Sequence, residues 1–202
     1  MPLWLAHEPL VLASKSEIRR AILRDAGVPI EVQAADIDER AIEQCSTGRD
    51  AGEIATLLAR EKARTVAARS PRRLVLGADQ TLALGNWRFS KPSDRGSARN
   101  QLEGLCGRTH ELHSAIALAQ GSSILWEHRD VARLSMRAFS DQFLEAYLDA
   151  AGAALTASVG GYQLERLGIH LFERIEGDHF VILGLPLMAL LQYLRQAGWL
   201  AG

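Results

Sequence analysis

Apolar and polar positions along this chain repeat with two periods, and the chain changes element where the period changes. Leu10 to Ala13 is a short, continuously apolar run that reads as a buried strand. Ser14-Lys15-Ser16-Glu17 then leads into IRRAILRDAG, where Ile18, Ala21, Ile22 and Ala26 share one helical face and Gly27 with Pro29 ends the pattern. Ser14 and Glu17 have capping-box spacing. A second helix is predicted from Ala51 to Arg69, with Ile54, Ala55, Leu58, Ala59, Ala63 and Val66 on one face and Lys62 near the middle of it. LVLGAD, from Leu74, is a strand, and Gly85-Asn86 is a hairpin signal between it and the next alternating run. A helix from Ser97 to Leu105, long strands over His110–Leu118 and Ile124–Met136, and a helix over Ser140–Ala150 follow. The glycine-punctuated segment 160–168 reads as irregular, Ile169 to Ile175 as a strand, and the last helix opens at Pro186 and stops at Gly198. Hairpins and crossovers interleave, which predicts an α/β fold on a mixed sheet flanked by helices, with residues 1–202 forming one domain.

Composition sharpens this only in part. The 202 residues carry a formal charge of -1 and are 48% hydrophobic, so a folded core is expected and a broad positive field for nucleic acid is not. Two cysteines, Cys45 and Cys106, lie outside any zinc spacing and fit a reducing compartment. The N-terminal stretch has no basic leader, and no apolar run is long enough to cross a membrane; a cytoplasmic protein is expected. Lysine is scarce: only Lys15, Lys62 and Lys91 occur among 23 basic residues. An ammonium is a compact point charge that a guanidinium does not replace, so the placement of these three is informative.

Several positions carry chemistry. Ser14, Lys15, Ser16, Arg19 and Arg20 surround a helix start whose free N–H groups favour an anion, although a plain capped helix with solvated arginines gives the same pattern. Lys62 on an apolar face either snorkels to water or meets a fixed anion. Asp79 sits where a buried strand emerges, a rigid place to present a carboxylate, or else simply caps a turn. With Lys91 and the acidic run Asp36 to Glu39, these are the parts for binding a polyphosphate with its divalent cation: cations on phosphate oxygens, carboxylates on the metal, and one carboxylate on an attacking water. His110 and His113, three apart on a strand, point to opposite faces and make no metal pair. Arg129, Arg133 and Arg137 share a face interrupted by Glu127 and Asp130, which reads as a solvated surface.

Taken in order, LASKSEIRR, IDER, REKA, GADQ, SKP and the closing GYQLERLG, LFERIEG and GLPL resemble the Maf family of nucleoside triphosphate pyrophosphatases from Leu10 to Gly198. The resemblance implies an elongated α/β fold of two lobes with a central cleft, commonly a homodimer, requiring Mg2+ with Mn2+ or Co2+ as alternatives. It implies hydrolysis of a nucleoside triphosphate substrate to a monophosphate and pyrophosphate. By the same resemblance Asp79 is the catalytic proton acceptor and a metal ligand, Glu39 a second metal ligand, and Ser14, Lys15, Arg19, Lys62 and Lys91 phosphate-binding residues. Specificity positions fall on Ile18, Gln80 and Glu165. Glu17 stands where the family usually has proline. Gln80 and Glu165 match the branch acting on 7-methyl-GTP, where the dTTP and UTP branch has threonine and glutamine. A carboxylate suits a purine edge rich in N–H donors. Ile18 leaves no aromatic there to stack on a base, a role open to Trp87 or Tyr162. The competing expectations are a nucleotide-binding regulator of septum formation without turnover, and a nucleotidyltransferase, which needs an acceptor site.

Overall fold

The computed structural model describes residues 3–46 and 48–202. Its strands are β1 (Leu10–Leu12), β2 (Ile30–Val32), β3 (Val75–Leu84), β4 (Trp87–Phe89), β5 (Thr109–Gln120), β6 (Ser123–Met136) and β7 (Phe172–Glu176). The helices are α1 (Glu17–Asp25), α2 (Glu39–Gln44), α3 (Ala51–Arg69), α4 (Arg95–Leu105), α5 (Asp141–Ala151), α6 (His179–Ile182) and α7 (Leu187–Gln196). The sheet has the order β2-β1-β3-β5-β6-β7, with β4 paired to β3. β1 is parallel to β2 and to β3, while β3–β4 and β6–β7 are antiparallel, so the sheet is mixed, as the interleaved pattern predicts.

The chain packs as two units. The first comprises Met1–Gln80, Ser114–Asp130 and Asp178–Gly202. Its strands bury both faces, and the alternation of side chains assigns a different core to each. On one face Leu10, Leu12, Leu76, Ala78, Ile116 and Leu118 meet residues of α1 and α7. On the other, Val11, Ala13, Val75, Ala115, Ala117 and Ala119 meet Ala55, Ala59, Ala63 and Val66 of α3. Small residues dominate that second face because the helix sits very close to β3. A Cβ on Gly77 would lie 2.0 Å from the carbonyl oxygen of Ala59 and 2.7 Å from the nitrogen of Ala63, so only glycine fits.

The second unit comprises Thr81–His113 and Val131–Gly177. Leu84 and Trp87 pair across the two-residue Gly85-Asn86 turn, as expected from the sequence, with Gly85 at φ 56°. α4 and α5 pack on each other and bury Ala98, Leu102, Leu105, Leu144 and Leu148.

Four local expectations are corrected. The cap of α1 is Ser16, whose hydroxyl accepts from Arg19 N, while Ser14 turns inward to other partners. The buried face of α1 is Arg19, Ile22 and Leu23, and Ala21 is exposed: a buried arginine shifted the face away from the purely apolar stripe. α4 starts earlier than Ser97, because Asp94 and Ser97 close a capping box. The strand expected from Ile169 begins at Phe172, since Leu167–Leu171 forms a 3-10 turn in which Gly168 N bonds Gln163 O at 3.1 Å. β2, α2 and α6 are short elements that the periodicity did not mark.

Candidate active site

The close seat of α3 on β3 decides the chemistry. Val75, Gly77 and Asp79 alternate on the strand face that α3 covers, and Lys62 lies next to Ala63, which packs over Gly77. The ammonium of Lys62 therefore reaches Asp79 Oδ1 at 2.6 Å and Glu39 Oε1, from the first turn of α2, at 2.8 Å. Lys62 and Asp79 are both buried. The sequence left two options for Lys62, and it meets fixed anions. Its three N–H donors have two carboxylates to serve, which leaves one donor for another acceptor.

Arg19 is the second buried cation. Its Nε donates to Gly184 O at 2.8 Å, and its Nη1 donates to Ala78 O at 2.9 Å and Ser14 Oγ at 3.2 Å. All three acceptors are neutral, so the guanidinium is held in place without its charge being cancelled by direct contact. Ser14 Oγ also accepts from Ser16 N at 3.3 Å. Burial lowers the Arg19 pKa, opposed by the charges of Asp79 and Glu39. Burial likewise pushes the Asp79 carboxyl up from its ordinary value; Lys62 and Arg19 oppose the shift, and Glu39 adds to it. A carboxylate raised in this way is a stronger base than an exposed one while still held beside two cations.

The structure thus brings together Ser14, Arg19, Glu39, Lys62 and Asp79. Lys15 lies apart from them, exposed and paired with Asp36 at 3.1 Å. Ile18 is half-buried against the α1 core. Gln80, facing away from Asp79 by strand alternation, donates to Ser114 Oγ and to the carbonyls of Val181 and Ile182 at 2.9–3.1 Å. In the second unit Lys91 is exposed beyond β4 and Glu165 is exposed in a turn. Tyr162 is buried, with its hydroxyl 2.7 Å from His110 Nε2, so it is not presented for base stacking; Trp87 is 77% exposed. Ser114 and Gly184 belong to the surroundings of the site; Gly184 opens the GLPL segment but receives no role from sequence, and Ser114 lies in no motif. The arginine stripe is individually satisfied: Arg129 by Asp50, Arg133 by Glu111, and Arg137 by the Phe143 ring and His170 O.

A divalent cation can be tested against this donor set. Glu39 and Asp79 converge on the same ammonium and so present two carboxylates at one place, and Mg2+ is commonly held by one or two carboxylates plus phosphate and water. Among the described residues no cluster of three or more His, Cys, Asp or Glu exists, so an all-protein cage is not the form it would take. The residues fit a cation that arrives with a polyphosphate. A surface groove of about 360 Å³, lined in part by Arg49, Arg60 and Glu127, contains none of the site residues, and its Arg60 is spent on a bidentate bond to Glu127.

Comparison with known proteins gives the lineage. The family model described as Maf-like protein matches residues 9–197. The chain belongs to the Maf-like protein family. A relative named nucleoside triphosphate pyrophosphatase from Rhodopseudomonas palustris is 55% identical over 201 residues, covering all of both chains. Another relative, from Rhizobium etli and named 7-methyl-GTP pyrophosphatase, is 46% identical over 96% of this chain and 98% of that protein. Among solved structures, a nucleoside-triphosphatase / dITP/XTP pyrophosphatase from Mycobacterium abscessus aligns at TM-score 0.42 and 17% identity, over 64% of this chain and 74% of that one.

Proposed function

We propose that this Maf-like protein is a nucleoside triphosphate pyrophosphatase that uses a divalent cation, Mg2+ in the first instance, and acts as a cytoplasmic homodimer. The observation that carries the reading is the buried ammonium of Lys62 held between Asp79 and Glu39, with the guanidinium of Arg19 fixed nearby on neutral oxygens. Such a cluster is costly to bury and gives little stability by itself, whereas an incoming triphosphate with its cation supplies the charges it lacks. In the proposed reaction Asp79 takes a proton from water as the water oxygen bonds to the α-phosphorus. The bond from that phosphorus to the bridging oxygen breaks, and pyrophosphate leaves with the bonding pair. Arg19, Lys62 and Ser14 hold phosphate oxygens and offset the charge that grows on them. A cation on Glu39, Asp79 and the phosphates would supply further charge neutralisation.

The finer reading is a 7-methyl-GTP-like purine in preference to dTTP or UTP. Its support is Glu165, an exposed carboxylate that suits N–H donors on a purine edge, together with Gln80 and the name of the Rhizobium etli relative. The test is pyrophosphate release with Mg2+ over a panel of normal and methylated triphosphates, with products identified. Free monophosphate plus pyrophosphate, fastest for a methylated purine, is expected. Tight nucleotide binding with no turnover across the panel would contradict the enzyme and favour a binding regulator.

A further inference from the structure

Consecutive residues of β3 serve opposite faces of the sheet, Asp79 toward α3 and Gln80 toward the turn built around α6. The Gln80 amide nitrogen has two hydrogens and three acceptors around it: Ile182 O at 2.9 Å, Ser114 Oγ at 3.0 Å and Val181 O at 3.1 Å. Ser114, completely buried on β5, gives its own proton to Val181 O at 2.7 Å, so its oxygen is left to accept from Gln80. This fixes which end of the amide is nitrogen. The two side chains thus cap the last carbonyls of α6, groups that a helix end leaves open. The other end of the same helix is capped by Asp178, which accepts from Phe180 N and Val181 N.

What this capped turn presents is Gly184. Its N–H bonds Val181 O at 3.0 Å, it turns back at φ 86°, and its carbonyl receives Arg19 Nε. A Cβ there would stand 3.0 Å from Arg19 Nη2, so the backbone approaches the guanidinium as closely as glycine permits. Ser114 and Gln80 fix Val181, Val181 fixes Gly184, and Gly184 fixes Arg19 against Ala78 O and Ser14 Oγ.

We propose that Ser114 is a positioning residue for phosphate binding, acting through Gln80 and the α6 turn to hold the guanidinium of Arg19 in place. This rests on the reading of Arg19 as a phosphate ligand. The lock uses only the amide nitrogen of Gln80, so it is a separate matter from any reading of a base by that residue. Without the Ser114 hydroxyl, the Val181 carbonyl loses a donor, the Gln80 amide loses an acceptor, and Gly184 O is no longer tied to the β5 strand. A small shift there moves the charged group that must meet the phosphates.

The test uses inorganic tripolyphosphate, which has no base, titrated against the 202-residue chain. Ser114→Ala is expected to bind it about 10-fold more weakly, the scale of one charge-assisted hydrogen bond from a displaced Arg19 to phosphate. In kinetics, KM should rise by the same factor for every triphosphate tested, with kcat within about 2-fold and the ratio of purine to pyrimidine turnover unchanged. Ile116→Val, two residues along β5 and outside the net, should lower Tm yet bind tripolyphosphate as wild type does. If Ser114→Ala does not fold, Gln80→Met, which breaks the net from a half-buried position, must give the same loss. Wild-type affinity in a folded Ser114→Ala protein would overturn the proposal. So would an altered base preference at unchanged tripolyphosphate affinity. A wild-type protein that binds tripolyphosphate but hydrolyses no nucleotide would refute the pyrophosphatase reading, while the affinity ratio would still decide the role of Ser114.

Discussion

Two polar groups with buried members, one in each unit, meet the problem of burial in opposite ways. In the second unit His110 and Tyr162 share one hydrogen bond of 2.7 Å and pack their rings against Phe172. Burial lowers the His110 pKa to about 4 and carries the Tyr162 hydroxyl far above its ordinary value, so both are neutral at physiological pH. In the first unit Lys62, Asp79, Glu39 and Arg19 bring two positive and two negative charges together, with Arg19 tied to neutral oxygens instead of to a carboxylate. A neutral pair is the inexpensive way to fill a core with polar groups. A charged cluster costs more in desolvation and is weak evidence for stability. The difference supports the proposed function: the second unit's pair is neutral, while the first unit's cluster carries the charges that the proposed triphosphate with its cation would meet.

Outside Asp79, the largest effect that sharpens this contrast belongs to His110. Its folded pKa of about 4 lies below the ordinary value of 6.5, so between those values the unfolded chain takes up a proton that the folded one refuses. Stability contributed by this group is present above pH 6.5 and is lost as pH falls toward 4, by on the order of 3 kcal/mol. The shift at Asp79 is upward and works in the other direction, losing stability as pH rises. Urea unfolding followed across that window should therefore weaken with acid in the wild type and weaken much less in His110→Phe. Equal acid sensitivity in the two would show that His110 is not the neutral member described.

A smaller effect is expected at Lys62. Lys62→Met keeps the apolar stem but removes a charged donor, and triphosphate affinity measured by titration should fall about 10-fold, the scale of a hydrogen bond to a charged group. Unchanged affinity would mean that the ammonium serves only to neutralise Asp79 and Glu39. The smallest effect lies at the proposed base reader. Glu165→Gln should shift relative turnover from methylated purine toward pyrimidine triphosphates by about 5-fold, one hydrogen bond's worth. An unaltered profile over the panel would place specificity elsewhere.

Much of this arrangement is legible in the sequence alone. Asp79 is legible as a carboxylate at the end of an apolar run, although the strand does not end there but continues, largely buried, to Leu84, and Lys62 is legible as a cation in the apolar stripe of a long helix. Gly77 closes the gap between them, although a glycine inside a strand says only that something approaches closely. The surroundings of Arg19 were not legible. Gly184 opens the GLPL segment, but its contact with Arg19 spans 165 residues and that of Ser114 with Gln80 spans 34, and no local pattern reports contacts at such separation. The short elements β2, α2 and α6 escaped for a related reason, since helices and strands of three to six residues depend on tertiary contacts more than on their own periodicity. The cap of α1 was misplaced because two serines, Ser14 and Ser16, compete for it, and only the buried guanidinium decides that Ser14 turns inward.

The central claim is that the buried carboxylate of Asp79 does chemistry and does not merely balance Lys62. Asp79→Asn keeps the size of the side chain and can still hydrogen-bond, so the most direct measurement is its nucleotide affinity and its pyrophosphate release, taken side by side with wild type. The account predicts a folded protein that binds triphosphate with comparable affinity and has lost at least about 100-fold in turnover, the lower end for a general acid or base. Turnover near the wild-type rate in that variant would contradict it.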